Sequence, residues 1–255
     1  WGKLPAVGKR VVDRAAKRAE VPLNFEKEGI GYRVSVQPEG EAILVTVDLD
    51  KPLAAAYQGR AGFNLELYPT AYFGRSYRLG DTDGVFTRQG NGPNVKDGTG
   101  IRPAVLAQGR KFTAAPEDPL RRMVVESLAG DLQFCDGRSI DTNGWFLLRS
   151  LVPAGVTKGA VRWKITPNAV PAWRRVPVIG ISQVGYHPDQ EKRAVVELDP
   201  RTAALGRAAL LKADPEKGPV PVLERPLVRW GRFLRYDYAI FDFTEVREPG
   251  TYLVA

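Results

Sequence analysis

Apolar and polar residues alternate with a period of two through much of the chain, and that alternation predicts strands. Tyr32-Arg-Val34-Ser-Val36 alternates, Pro38-Glu-Gly40 interrupts, and Ala42-Ile-Leu-Val-Thr-Val-Asp48 resumes, the pattern of a β-hairpin. Residues 62–68, 111–113, 123–128, 144–149 and 160–165 are further strand candidates, separated by clusters of Gly, Pro and Asp with no helical stretches between them. That cadence argues for an antiparallel β-sandwich and against a βαβ fold. One early segment departs from it. Val7, Val11, Val12, Ala15, Ala16 and Ala19 fall on one helical face, with Lys9, Arg10, Arg14, Lys17 and Arg18 outside it and Pro22 as a stop. A short N-terminal amphipathic helix is therefore predicted over residues 1–22.

The pattern is punctuated once more by Pro167-Asn-Ala-Val-Pro-Ala-Trp-Arg-Arg-Val-Pro177, a composition typical of an extended, semi-rigid spacer. A domain boundary is placed there. Residues 23–166 then make one β-sandwich, 167–177 a linker, and 178–255 a second sandwich. Strand candidates in the latter are 181–184, 193–198, 208–212, 236–243 and 251–254, the spacing of an immunoglobulin-like fold. That fold usually takes about 100 residues, so the second domain is expected to lack its last strand. The predicted class is all-β: two β-sandwich domains, the second immunoglobulin-like, with a short N-terminal helix.

Composition narrows the function classes. With Lys+Arg 37 against Asp+Glu 29 the net charge is +8, but the arginines are scattered and form no clustered stripe, so nucleic acid is not the expected partner. No run approaches the ~18 apolar residues of a membrane helix, and a membrane is not expected as a partner either. Cys135 is the single cysteine and reads as a buried, inert thiol. The sole histidine, His187, falls in a turn, which leaves little material for a hydrolytic triad or a zinc site. The chain opens on Trp1 with no visible signal peptide, as expected of a trimmed or partial product.

Three phrases carry a family resemblance. Ile181-Ser-Gln-Val-Gly-Tyr-His-Pro188 with the following Glu-Lys-Arg-Ala-Val, Tyr238-Ala-Ile-Phe-Asp-Phe-Thr244, and Glu248-Pro-Gly-Thr-Tyr-Leu-Val254 together resemble the immunoglobulin-like domain that precedes the catalytic domain in cellulases of glycoside hydrolase family 9. That domain typically opens on Gln-Val-Gly-Tyr-x-Pro and closes on a Gly-x-Tyr strand. The likeness covers residues 178–255 and implies a bacterial, secreted or periplasmic protein of polysaccharide degradation. In the family the module braces a large α/α barrel and is not itself catalytic. Neither the barrel nor its Asp-Ala-Gly-Asp phrase occurs here, and Ala129-Gly-Asp131 is a chance fragment of it. More loosely, Ala61-Gly-Phe-Asn-Leu-Glu-Leu-Tyr-Pro69 and Tyr72-Phe-Gly-Arg-Ser-Tyr77 resemble sandwich domains upstream of such modules.

Sugar binding by a sandwich needs aromatic faces for pyranose rings and amides or charged groups for their hydroxyls. Tyr68, Tyr72 and Tyr77, beside a Gly-rich connection carrying Arg88 and Asn91, are the candidate carbohydrate contacts, with Trp145. Asp81-Thr-Asp83-Gly and Asp141-Thr-Asn-Gly144 have the spacing that begins a calcium loop, but neither continues to the closing Glu. No cofactor is required; a structural calcium ion at Asp81 and Asp83 is the one the residues leave room for. No acidic pair stands out as a catalytic couple. The expected function is the non-catalytic N-terminal portion of a family 9-like glycoside hydrolase of the endo-β-1,4-glucanase type. Its partners would be the missing catalytic domain and β-glucan. The alternatives are a stand-alone polysaccharide-active enzyme with an acidic pair in the first domain, and a protein-interaction or adhesion module.

Overall fold

The computed structural model describes residues 4–90, 92–98, 100–140 and 144–255. The chain divides into two compact units, Trp1–Val170 and Pro171–Ala255, with the division falling inside the Pro-rich segment. Both are all-β. Among the described residues the only helical pieces are one turn, α1 (Pro69–Tyr72), and 3-10 turns at Ala55–Tyr57 and Gly137–Ser139.

In the first unit the strands are β1 (Ala6–Val7), β2 (Val11–Asp13), β3 (Arg18–Phe25), β4 (Ile30–Glu39), β5 (Ala42–Leu49), β6 (Gly62–Leu67), β7 (Ser76–Leu79), β8 (Thr82–Val85), β9 (Asn94–Asp97), β10 (Gly100–Pro103), β11 (Val105–Gly109), β12 (Lys111–Ala114), β13 (Met123–Ser127), β14 (Leu132–Asp136), β15 (Phe146–Leu151) and β16 (Val161–Pro167). One large antiparallel sheet runs β1-β3-β4-β5-β16-β13-β12-β7-β8, with β2 also on β3. A second runs β11-β14-β15-β6, and β9 and β10 form a separate hairpin. The period-two pattern explains the core. Val45, Val47 and Leu49 on β5, Phe112 and Ala114 on β12, Val125 on β13, and Val161 and Trp163 on β16 point inward from the large sheet. Leu132 and Phe134 on β14 and Phe146 and Leu148 on β15 meet them from the small one. Two sheets sharing one interdigitated apolar layer is the sandwich architecture. Trp163, fully buried, donates its indole N–H to Ser150 Oγ at 2.9 Å, so the largest core side chain leaves no polar atom unpaired.

Of the N-terminal helix predicted over residues 1–22, the described residues 4–22 form none. Residues 11–13 and 18–25 pair as antiparallel strands, Val12 opposite Ala19 and Val11 opposite Glu20, around a turn closed by the Ala16 amide on Asp13 Oδ1 at 2.9 Å. An isolated helix this short is marginal in water, and β-branched Val7, Val11 and Val12 weaken it further. The competing arrangement gives β3 seven paired residues along β4, Ala19 opposite Val36 through Phe25 opposite Ile30. Pro22, expected as a helix stop, sits within β3, where its carbonyl accepts the Gly8 amide at 2.9 Å.

The second unit comprises β17 (Val178–Gly180), β18 (Arg193–Leu198), β19 (Arg207–Asp214), β20 (Gly218–Pro226), β21 (Val228–Phe233), β22 (Tyr236–Asp242) and β23 (Tyr252–Val254). The sheet order β17-β18-β22-β21 beside β20-β19-β23 follows the strand order of an immunoglobulin-like sandwich. Ala194, Ala208, Leu210, Phe241 and Phe243 fill the layer between the sheets. Residues 181–184, expected as a strand, form a turn instead. Gly185 takes φ 82°, and the Tyr186 hydroxyl accepts the Ser182 amide at 3.0 Å and donates to the Arg193 carbonyl at 2.7 Å. A side chain folded back onto its own loop in this way satisfies backbone groups that a strand would have paired.

Candidate functional site: an aromatic cleft at the end of the small sheet

Register creates the site. In the β6–β15 pair Leu67 lies opposite Phe146, so the next residue outward on each strand, Tyr68 and Trp145, face one another just beyond the ladder. Their rings meet edge to face, 5.3 Å between centroids at 62°. Both stay open to solvent, Tyr68 57% and Trp145 38% exposed. Pro69 at the first position of α1 turns the chain away immediately after Tyr68, the place where its fixed φ and missing N–H cost least. The cleft beside the pair encloses about 390 Å³, and Phe73, Arg88, Gly90 and Arg138 complete its wall.

A buried ion pair holds that wall. Arg138, in the 3-10 turn after β14, and Asp136 are 7% and 3% exposed. Arg138 donates from Nε to Asp136 Oδ1 at 2.9 Å and from Nη2 to Oδ2 at 2.8 Å, while its own amide donates to Oδ1 at 3.1 Å. Its remaining donors reach the carbonyls of Thr87 at 2.7 Å and Arg88 at 3.0 Å. The guanidinium carbon also lies 4.2 Å from the centroid of Phe146 and 5.2 Å from that of Phe73. One side chain thus ties the loop after β8 to β14 and α1. The loop seats so closely that a Cβ on Gly90 would fall 2.9 Å from Arg138 Cβ. Asn94 and Ser139 add a second tie, with Asn94 Nδ2 to the Ser139 carbonyl at 2.9 Å and Ser139 Oγ to Asn94 Oδ1 at 2.6 Å.

Arg88 is the cleft's unspent charge. Its backbone is fixed by Arg138, its side chain is exposed, and its guanidinium lies 6.0 Å from the centroid of Phe73. Among the described residues it has no carboxylate partner, and no acidic residue is among those lining the cleft.

Of the candidate sugar contacts, Tyr68, Arg88 and Trp145 converge here. Two others do not. Tyr77 is buried among Phe86, Phe112 and Phe134, the last at 4.4 Å between centroids, and burial pushes its phenol pKa up. Tyr72 is half-buried with its ring 5.0 Å from that of Phe86. Both are packing residues because the inward face of β7 and the inner side of α1 close the core around Phe86. Asn91, and the Asp141-Thr-Asn phrase, lie outside the described residues. Asp81 sits in the exposed β7–β8 turn and Asp83 on β8, where it lies opposite Arg78 and pairs with it at 3.6 Å. Among the described residues no group of three or more His, Cys, Asp or Glu could hold a metal ion. Cys135 is fully buried, its thiol pKa pushed up by burial. His187 is exposed in its turn, accepting the Asp189 amide on Nδ1 at 3.2 Å. Arg138 is the residue the alternation pattern did not single out. Its signal is Asp136-Gly-Arg138 itself, two opposite charges two residues apart directly after an apolar strand.

A cavity of about 290 Å³ opens in the second unit between Tyr186, Phe243 and Tyr252, and its wall also carries Lys192, Arg247 and Glu248, so its cations stand beside a carboxylate. Another of about 280 Å³ lies over Val195, Trp230 and Tyr238 and has no charged residue among those lining it. No helix among the described residues is long and apolar enough to cross a membrane. Comparison with family profiles, with curated proteins and with solved structures finds no match to this chain.

Proposed function

We propose that this chain is a non-catalytic, carbohydrate-associated part of a family 9-like glycoside hydrolase. Its second unit braces a catalytic barrel of the parent polypeptide, and its first unit contacts β-glucan through the cleft. The bracing role rests on the resemblance carried by Gln183-Val-Gly-Tyr186 and Gly250-Thr-Tyr252, and with it go secretion or export to the periplasm. The contact role rests on one observation, the exposed Tyr68–Trp145 pair beside a cleft of about 390 Å³. Aromatic faces cover the apolar faces of pyranose rings, and concave sites of 300–1,000 Å³ are the size small ligands occupy. A glucan segment lying across the two rings would keep its hydroxyl edges toward Arg88 and the backbone of the 87–90 loop.

Affinity electrophoresis in gels containing soluble β-glucans, with pull-down on insoluble cellulose, tests the contact role. Retention is expected for the native chain and is expected to be lost in Trp145→Ala. No retention on any glucan removes the contact role and leaves the bracing role to be tested by mixing the chain with a family 9 barrel. The purified chain is expected to release no reducing sugar; release would establish an enzyme in its own right.

A further inference from the structure

We propose that the cleft is built for a carboxylate-bearing sugar, a hexuronate residue within or on the polysaccharide chain, and that Arg88 reads the carboxylate. The inference rests on the reading of the cleft as a sugar site and names the class of sugar. Two guanidiniums line the wall, but only one is available. Arg138 spends its donors on Asp136 and on the carbonyls of Thr87 and Arg88, and its charge is cancelled within the buried pair. Arg88 has no such partner among the described residues, and none of the described lining residues is acidic, so the described wall presents one positive charge without a carboxylate beside it.

The placement of that charge suits a ring bearing a carboxylate. A planar guanidinium offers paired N–H donors that match both oxygens of a carboxylate, and such charge-assisted contacts are stronger than those to neutral hydroxyls. The backbone of Arg88 is held from behind by Arg138 Nη1 at 3.0 Å, so its side chain starts from a fixed base. The sugar ring would lie on Trp145 and Tyr68 across the cleft. A neutral glucose unit in the same place would meet the aromatic wall but leave the Arg88 charge without a counter-ion.

A matched pair of ligands tests this: cellotetraose, and the same oligomer with one C6 hydroxymethyl oxidised to a carboxylate, titrated calorimetrically into the full chain at low and at ~0.15 M salt. The carboxylated oligomer is expected to bind about tenfold more tightly, the scale of one charge-assisted hydrogen bond. Arg88→Gln is expected to erase the difference, lowering the carboxylated oligomer's affinity about tenfold and the neutral oligomer's much less, Arg88→Lys to keep part of the difference, and Trp145→Ala to weaken both ligands. Equal affinities in the native chain, or a preference that survives Arg88→Gln, overturn the inference and leave the sugar reading standing. A preference erased as fully by Lys9→Gln, an exposed charge on the N-terminal segment, also overturns it, since net charge would then be the cause. Binding of neither oligomer overturns both readings.

Discussion

Arg138 and Asp136, two residues apart, form a bidentate ion pair of 2.9 and 2.8 Å beneath the cleft, with the guanidinium 4.2 Å from the centroid of Phe146. Removing one partner of a buried pair leaves an uncompensated charge, which costs about 3–5 kcal/mol. Arg138→Ala is therefore expected to destabilise the chain by that amount in chemical denaturation. The same substitution frees the carbonyls of Thr87 and Arg88, so sugar retention should fall even at temperatures where the variant is folded. The double variant Asp136→Asn with Arg138→Met removes both charges and is expected to be less destabilised than Arg138→Ala alone. A double variant as unstable as the single one would show that packing, and not the orphaned charge, sets the cost.

Gly137 stands between those two residues with its amide on the Trp145 carbonyl at 3.0 Å. A Cβ there would fall 2.6 Å from that same oxygen, so the strand end carrying Trp145 would have to move. Gly137→Ala is expected to cost about 1–3 kcal/mol, as overpacking does, and to weaken binding by displacing Trp145 from Tyr68. Thermal unfolding and affinity electrophoresis on the same protein separate the two effects. Unchanged retention in a destabilised variant would mean that the aromatic pair does not depend on this approach.

Much of the fold was legible in the sequence because burial enforces the period of two. The hairpin over residues 32–48 appears as β4 and β5, and the candidates at 62–68, 111–113, 123–128 and 160–165 appear within or close to β6, β12, β13 and β16. What escaped were strands whose partners are remote or whose composition argues against them. β20 carries Pro219, Pro221 and Pro226 yet pairs along β19, tolerable because it is the edge of its sheet. The Gly-rich connection carrying Arg88 and Asn91 reads as a loop but holds β7 and β8 before Arg88 and β9 after Asn91, with Leu79 and Tyr77 buried. The N-terminal segment satisfied the helical period and the strand period at once, and only pairing with β4 decided between them. At the cleft, Tyr68 and Trp145 could be picked out as aromatic residues beside turns. Their meeting depends on the β6–β15 register, which no local pattern encodes. Arg138 was invisible because a charged residue in a turn looks like surface until its partners are known.

Trp163 and Ser150 supply a prediction in the core itself. The indole N–H donates to Ser150 Oγ at 2.9 Å, and that hydroxyl donates to the Asp131 carbonyl at 3.0 Å. Ser150→Ala leaves a fully buried N–H without a partner, a loss of about 1–3 kcal/mol. Trp163→Phe removes the donor together with some volume, and combining it with Ser150→Ala should cost less than the sum of the two single changes, because the second change then orphans no indole N–H. Strict additivity in a double-mutant cycle would show that the bond contributes nothing.

The pH dependence of the second unit follows from two aspartates. Asp199 accepts from Arg201 Nε at 2.9 Å and from the amides of Arg175 and Arg201, and these bonds hold its carboxyl well below the usual carboxylate range. Asp237, between Arg232 at 2.7 Å and Arg229 at 2.8 Å, is likewise lowered, chiefly by its hydrogen bond from Arg232. In the unfolded chain an aspartate titrates near ~3.9. The folded state therefore holds these protons more weakly than the unfolded state does. Their contribution is complete above about pH 5 and is lost as the pH falls through the unfolded value toward the folded ones. The melting temperature is expected to be flat with respect to these groups between pH 5 and 8 and to drop progressively below about pH 4. Asp237→Asn should lower the melting temperature at neutral pH and make the acid limb shallower, since one of the two titrations is gone. An acid limb of unchanged slope in that variant, followed by the far-ultraviolet signal as the pH is lowered, would assign the acid sensitivity to other carboxylates.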